Sequence, residues 1–178
     1  MRVISGSARG RFLKSLEGEA TRPTTDKVKE SIFNIIQFEI EGSRVLDLFG
    51  GSGQLAIEAI SRGADNAVVA ENSKKAADII KENVRICGFE DKITIRRGDY
   101  SEVLTKDAKY DVIFLDPPYQ SNLIFKALEA VNEFDILSKD GIIVCETDVM
   151  SDIVGFVGDS YSCREYKYGR IKLTVLRK

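Results

Sequence analysis

No histidine occurs among the 178 residues. Ser-His-Asp and Cys-His nucleophilic catalysis are excluded, and so are histidine-ligated metals. Proton handling falls to Asp, Glu, Lys, Tyr or water. Cysteine is scarce: Cys87, Cys145 and Cys163 are scattered, odd in number and form no Cys-x-x-Cys pair. That argues against a disulfide framework and a zinc site, so no metal is expected, and it fits a reducing compartment. No apolar run approaches the roughly 20 residues that span a bilayer. The start Met1-Arg2-Val3-Ile4-Ser5-Gly6 lacks the long apolar region of a signal peptide, and a cytoplasmic location is expected. Repeats, low-complexity segments and interdomain linkers are missing too, which predicts one domain over residues 1–178.

What is present is a chain long enough for one real core, with 43% hydrophobic and 30% charged residues. Its net charge of −2 hides an asymmetry. Residues 1–31 carry +3, and residues 160–178 carry +5, so the middle carries −10. Basic ends around an acidic body suggest a polyanion held at one side of the molecule, unless the ends are merely solvated. Strong non-specific binding to nucleic acid is not expected at such a net charge.

Residues 2–16 read as a small β-hairpin around the basic loop Ser5-Gly6-Ser7-Ala8-Arg9-Gly10-Arg11. A helix near 26–38 follows, with Val28, Ile32, Ile35 and Ile36 at helical spacing. Strands are predicted at 44–49, 67–70, 93–97, 111–115 and 142–146. Helices at 54–62, 73–87, 101–105 and 121–133 alternate with them. This pattern implies a mostly parallel, doubly wound, twisted sheet with helices on both faces. Residues 160–167 and 171–176 form a further, antiparallel pair around Tyr168-Gly169-Arg170. Ile171, Leu173 and Val175 alternate with Lys172 and Thr174, a one-sided pattern. Such a terminal antiparallel hairpin distinguishes methyltransferase sheets from dinucleotide-binding ones, and the fold expected is a Rossmann-like class I methyltransferase.

Asp47-Leu48-Phe49-Gly50-Gly51-Ser52-Gly53 lies between a strand and a helix, where glycines allow a tight turn against a ligand. Gly51-x-Gly53-x-x-Ala56, with Glu71 twenty residues after Gly51, also fits a dinucleotide fingerprint. Asp47 weighs against that reading. Its carboxylate would repel a pyrophosphate and attract the amino group and sulfonium of S-adenosyl-L-methionine (SAM). Glu71 is placed to accept from ribose hydroxyls. Asp99, with Tyr100 beside it, either accepts from the adenine amine or caps a helix before Ser101.

A second stretch, Val112-Ile113-Phe114-Leu115-Asp116-Pro117-Pro118-Tyr119, is a buried strand stopped by two prolines. It holds the Asp116 carboxylate, the Pro117 carbonyl and the Tyr119 ring at the sheet's carboxyl edge. Two acceptors and a flat ring suit the exocyclic amine of a nucleobase; the plain alternative is a rigid turn with a capping Asp. Asp116 and Pro117 would orient the amine and stabilise charge developing on it. Tyr119 would stack on a base drawn out of its helix or already unpaired.

These motifs lie in a chain that resembles the RsmD family, guanine-N2 methyltransferases of bacterial small-subunit (16S) ribosomal RNA. The likeness rests on Arg9-Gly10-Arg11, on Thr21-Arg22-Pro23-Thr24-Thr25-Asp26-Lys27 and its continuation to Asn34, on the glycine loop and on Glu58-Ala59. It also rests on Asp116-Pro117-Pro118-Tyr119 and on Tyr168-Gly169. It implies SAM as cofactor and 16S rRNA as partner, in an assembled or assembling small ribosomal subunit, with a monomeric enzyme. It also implies that Arg22 and Thr24 lie against the donor and substrate pocket. Arg9, Arg11, Arg22, Tyr119 and Tyr168 are the expected substrate contacts, and residues 1–25 a substrate-side extension of a core at 26–178. Gly50 stands where the family commonly has alanine, a difference expected to be harmless. The Asp-Pro-Pro-Tyr loop is shared with adenine-N6 methyltransferases, so such an enzyme is an alternative. A non-catalytic SAM- or RNA-binding assembly factor is another.

Overall fold

The structure, a computed structural model, describes residues 1–16, 25–105, 108–118 and 122–178. The apolar runs and helical stripes become, in order, α1 (Asp26–Ile35), β1 (Arg44–Asp47), α2 (Gln54–Ser61), β2 (Asn66–Glu71) and α3 (Lys74–Cys87). Then follow β3 (Ile93–Arg97), α4 (Tyr100–Val103), β4 (Tyr110–Leu115), α5 (Leu123–Glu133) and β5 (Leu137–Asp148). The chain closes with α6 (Ile153–Val157), β6 (Ser162–Tyr168) and β7 (Ile171–Arg177).

The seven strands make one sheet in the order β3-β2-β1-β4-β5-β7-β6. The first five run parallel, and β7 pairs antiparallel with both β5 and β6. Strand order reverses between β1 and β4, the topological switch point at which open α/β sheets bind ligands. Helices α1, α2 and α3 bury their apolar stripes on one face, where Phe33 of α1 meets Phe114 of β4 at 5.7 Å between ring centroids. Helices α4, α5 and α6 cover the other face. No helix among the described residues is long and apolar enough to cross a membrane.

Four expectations need correction. Helix α1 stops at Ile35 rather than near 38. Strand β5 begins at Leu137 rather than at 142 and takes in Asp140-Gly141; its pairing with β4 shifts register between Tyr110 and Val112. Strand β7 is not one-sided: Ile171 through Leu176 are all buried. It lies inside the sheet, and the unforeseen α6 brings Ile153 and Val157 into one cluster with Leu176. Lys172, 5% exposed, is accommodated by an ion pair to Glu165 at 2.7 Å.

The N-terminal β-hairpin is also slighter than expected, closing a single bridge between Arg2 and Phe12. Its backbone instead finds partners on the helices. The Ile4 and Ser5 N–H groups donate to the Glu58 carboxylate at 2.8 and 3.0 Å. The Ala8 N–H donates to Ser61 Oγ at 2.9 Å, and the Lys14 N–H to Asn83 Oδ1 at 2.7 Å. Glu58, fully buried, also pairs with Lys29 at 3.7 Å and Arg62 at 2.8 Å. Lys29, itself buried, donates from Nζ to the Arg2 carbonyl at 2.6 Å. One buried acid thus ties the N-terminal reversal to α1 and α2.

Candidate active site

Parallel strands bring their carboxyl ends to one edge, and each of four ends carries an acid. Asp47 closes β1, Glu71 closes β2, Asp99 follows β3 and Asp116 follows β4. Asp47 and Phe114 are partners in the β1–β4 pairing, so Asp47 and Asp116 flank the switch point.

Asp47 is 1% exposed, and no cation forms an ion pair with it among the described residues. Its Oδ1 accepts from the Phe49 N–H at 3.3 Å. Burial pushes its carboxyl up to about 7; the backbone donors oppose this and the charge of Glu71 adds to it. A buried acid of this kind can receive a cationic group, which would favour its ionised form.

The loop after Asp47 keeps its shape through glycine. Gly51 and Gly53 take φ of +54° and +77°, and Gly53 opens α2. The Gly50 N–H donates to the Ala70 carbonyl at 2.9 Å, pinning the loop to β2. A Cβ on Gly50 would lie 2.4 Å from Val69 Cγ1 and 2.9 Å from Ile80 Cδ1. An alanine here, expected to be harmless from the family likeness, needs the Val69 and Ile80 side chains to shift. Asn83 holds the loop from behind, its Nδ2 donating to the Ser52 and Lys14 carbonyls at 2.9 Å.

Glu71 stands across this loop. Its Oε2 accepts from the Gly51 N–H at 2.8 Å and its Oε1 from the Ser73 N–H at 2.8 Å. Each oxygen keeps a second lone pair, so the same carboxylate can shape the loop and accept from a ligand. Asp99 caps α4, with Oδ1 accepting from the Ser101 N–H at 3.0 Å and Oγ at 2.6 Å; these bonds lower its pKa. Of its two sequence readings the cap is seen directly. Tyr100 tilts against Phe49 at 5.5 Å, and burial raises its pKa. Phe49, which sequence reasoning passed over, thus joins the edge as an apolar wall; its place two residues after Asp47 was the available signal.

Asp116 is half-buried, Pro117 buried and Pro118 exposed, directly after Leu115. Tyr119, Arg22 and Thr24 lie outside the described residues. Tyr168 stands where β6 turns into β7. That turn belongs to the same carboxyl edge, because Cys145 of β5 pairs beside Leu115 and Asp148 beside Ile171.

Arg9 and Arg11 are elsewhere. The reversal that carries them runs along α2 to its far end, where the Ser7 N–H meets the Ser61 carbonyl at 2.7 Å. Arg11 donates to the Ile86 carbonyl at the end of α3. Twelve helical residues separate Ile86 from Lys74, which puts this tip roughly 18 Å from the carboxyl edge.

The family model described as "Conserved hypothetical protein 95" matches residues 1–177. The chain is 41% identical over 182 residues to YlbH of Bacillus subtilis (strain 168), provisionally named an rRNA methyltransferase, covering 100% of this chain and 99% of that one. It is 37% identical over 152 residues to "Ribosomal RNA small subunit methyltransferase D" of Haemophilus influenzae (strain ATCC 51907 / DSM 11121 / KW20 / Rd), covering 83% and 79%. Among solved structures, yhhF of Escherichia coli, provisionally a methyltransferase, superposes with a TM-score of 0.87 at 26% identity, covering 100% and 97%.

Proposed function

The chain belongs to the RsmD family of methyltransferases, and from that premise we propose that it methylates the exocyclic N2 amine of a guanine in 16S rRNA, using SAM. The observation that carries this reading is the pair of carboxylates across the switch point. One is buried with no cation paired to it among the described residues, and the other is half-buried behind two prolines. The first fits the cationic end of a methyl donor, and the second fits an amine that loses a proton as it is alkylated.

The residues present suit SAM. Asp47 would receive its positive groups, Glu71 its ribose hydroxyls, and Gly50, Gly51 and Gly53 would let the backbone approach it. Asp99, Tyr100 and Phe49 would border its adenine. When bound, SAM supplies a methyl group already activated by a positive sulfur. The protein then has mainly to align the acceptor, and alignment alone can contribute several kcal/mol, about 7 or more in favourable cases. Asp116 and the Pro117 carbonyl accept the two N–H bonds of the base amine and turn its lone pair toward the donor. As positive charge grows on that nitrogen, the Asp116 carboxylate stabilises it. The proton departs to water after transfer, so no histidine is needed. The family likeness implies that Tyr119 would stack on the base and that Arg22 and Thr24 would lie against the pocket. The enzyme works as a monomer in the cytoplasm, one catalytic unit on a small ribosomal subunit.

Mass-spectrometric mapping of 16S rRNA from cells with and without the protein tests the reading. Loss of one N2-methylguanosine from the small subunit is expected. An unchanged modification map overturns it.

A further inference from the structure

Strand β6 is the sheet's outer edge, and its residues alternate between the two faces. Arg164, Tyr166 and Tyr168 fall on the same face as Ile171, Leu173 and Val175, their cross-strand neighbourhood. Both tyrosines pack partly on that core and stay partly exposed, and Arg164 is exposed. The row ends at the turn bearing Arg170, on the carboxyl edge. Lys167 is exposed on the other side of the strand. Among the described residues, Arg164, Lys167 and Arg170 make no ion pair, whereas Lys172, Arg177 and Lys178 are paired with Glu165, Glu39 and Asp135. Three strand spacings separate β4 from β6, so the tyrosine row lies ~14 Å across the sheet from Asp116.

We infer that this row is a track for single-stranded RNA flanking the target base, with Tyr166 and Tyr168 stacking on bases and Arg164, Lys167 and Arg170 holding phosphates. The inference rests on the proposed rRNA substrate and deepens it. Aromatic rings in one row, beside cations that make no ion pair among the described residues, are what an unpaired strand needs, since stacking is sequence-tolerant and the charge follows the backbone. A second copy of this chain pairing along β6 is the other candidate occupant. In an edge-to-edge pairing the like charges of Arg164, Lys167 and Arg170 would be brought together, which disfavours it.

The test is a fluorescence titration of the whole protein with a fluorescein-labelled eight-nucleotide single-stranded RNA at low salt. The chain has no tryptophan, so emission comes from its six tyrosines, and quenching lost in a variant without Tyr166 and Tyr168 reports stacking on the row. Saturable quenching is expected with wild type. The double variant Tyr166→Leu/Tyr168→Leu should bind ten-fold or more weakly, from anisotropy of the label, with an unchanged melting temperature. Tyr168→Phe, which keeps a ring, should bind within two-fold of wild type. Absence of binding by wild type overturns the inference. So does undiminished affinity in the leucine variant, or self-association on sedimentation that is lost in Arg170→Glu without any effect on RNA. None of these readouts requires methyl transfer, so failure of the rRNA assignment and failure of this track are told apart. If wild type methylates small subunits, the leucine variant should raise KM for them with kcat retained.

Discussion

Residues 1–16 and strands β6 and β7 are both basic chain reversals, yet their tips face opposite edges of the sheet. The first is engaged except at Arg9, which makes no ion pair among the described residues. Lys14 pairs with Glu82 at 2.5 Å, Arg11 reaches the Ile86 carbonyl, and Lys29 and Glu58 bind its backbone from below. The second has three cations with no ion pair among the described residues, and its turn lies on the same edge as the acids of the candidate site. Charge alone would rank the two ends as alike. What separates them is direction: the first reversal follows α2 away from the carboxyl edge, and the antiparallel entry of β7 returns the second one to it. The N-terminal reversal is therefore mainly a brace. Its arginines reach the substrate only if that substrate is a body large enough to wrap the molecule, as a ribosomal subunit is.

The contrast presumes that chemistry occurs at the carboxyl edge. Asp116→Ala tests that premise and should have the largest effect, lowering methyl transfer on the order of 10³-fold while SAM affinity stays within two-fold. Calorimetry and a single-turnover assay check both halves, and near-normal turnover would remove the edge from consideration. Next comes the brace. Glu58→Ala leaves Lys29 buried without its carboxylate and strips the Ile4 and Ser5 N–H groups, so it should cost about 3–5 kcal/mol in urea unfolding. A loss below about 1 kcal/mol would mean that the N-terminal end is not structural. The two ends can then be compared directly by salt titration of small-subunit binding. Replacing Arg164, Lys167 and Arg170 together by alanine should reduce the slope of log affinity against log salt by about 2, or about 0.7 per cation, whereas Arg9→Ala should leave it unchanged. A reduction of about 0.7 by Arg9→Ala would erase the difference.

The remaining prediction concerns Asp47. Its folded pKa lies near 7, above the ordinary value of 3.8. A raised value means that the stability linked to its protonated form is fully present below about pH 3.8 and is lost as pH rises through about 7. Ligand-free protein should lose stability over that window, and Asp47→Asn should flatten the decline in urea melts. A donor cation placed beside Asp47 would favour the ionised form, so SAM binding near pH 6 should release a proton. Calorimetry in buffers of different ionisation enthalpy reads this; identical heats would remove Asp47 from the donor site.

Much of the edge was legible because its signals are local. An apolar run followed by an acid and glycines, or by an acid and two prolines, fixes a strand end wherever the strand sits. The positions of Asp47, Glu71, Asp99 and Asp116 at one edge then follow from parallel order. What escaped was information carried by neighbours. Lys172 and Thr174 read as a wet face because a five-residue helix, α6, is too short to announce itself, and α6 belongs to the layer that covers that face. Gly50 looked interchangeable with alanine because Val69 and Ile80, which fill the space, come from other elements. Arg9 and Arg11 read as substrate contacts because no periodicity reveals toward which edge a reversal points.

The sheet order also dictates the sequence of events in folding. Strand β5 is twelve residues long, and the edge it offers beyond β4 can be paired only by β7, the last strand made. Until residues 171–177 have been synthesised, a growing chain holds that long apolar strand open to any other strand it meets. Two of the seven strands thus join the sheet only through residues 171–177, and the interval before those residues arrive is when this protein is most exposed to aggregation.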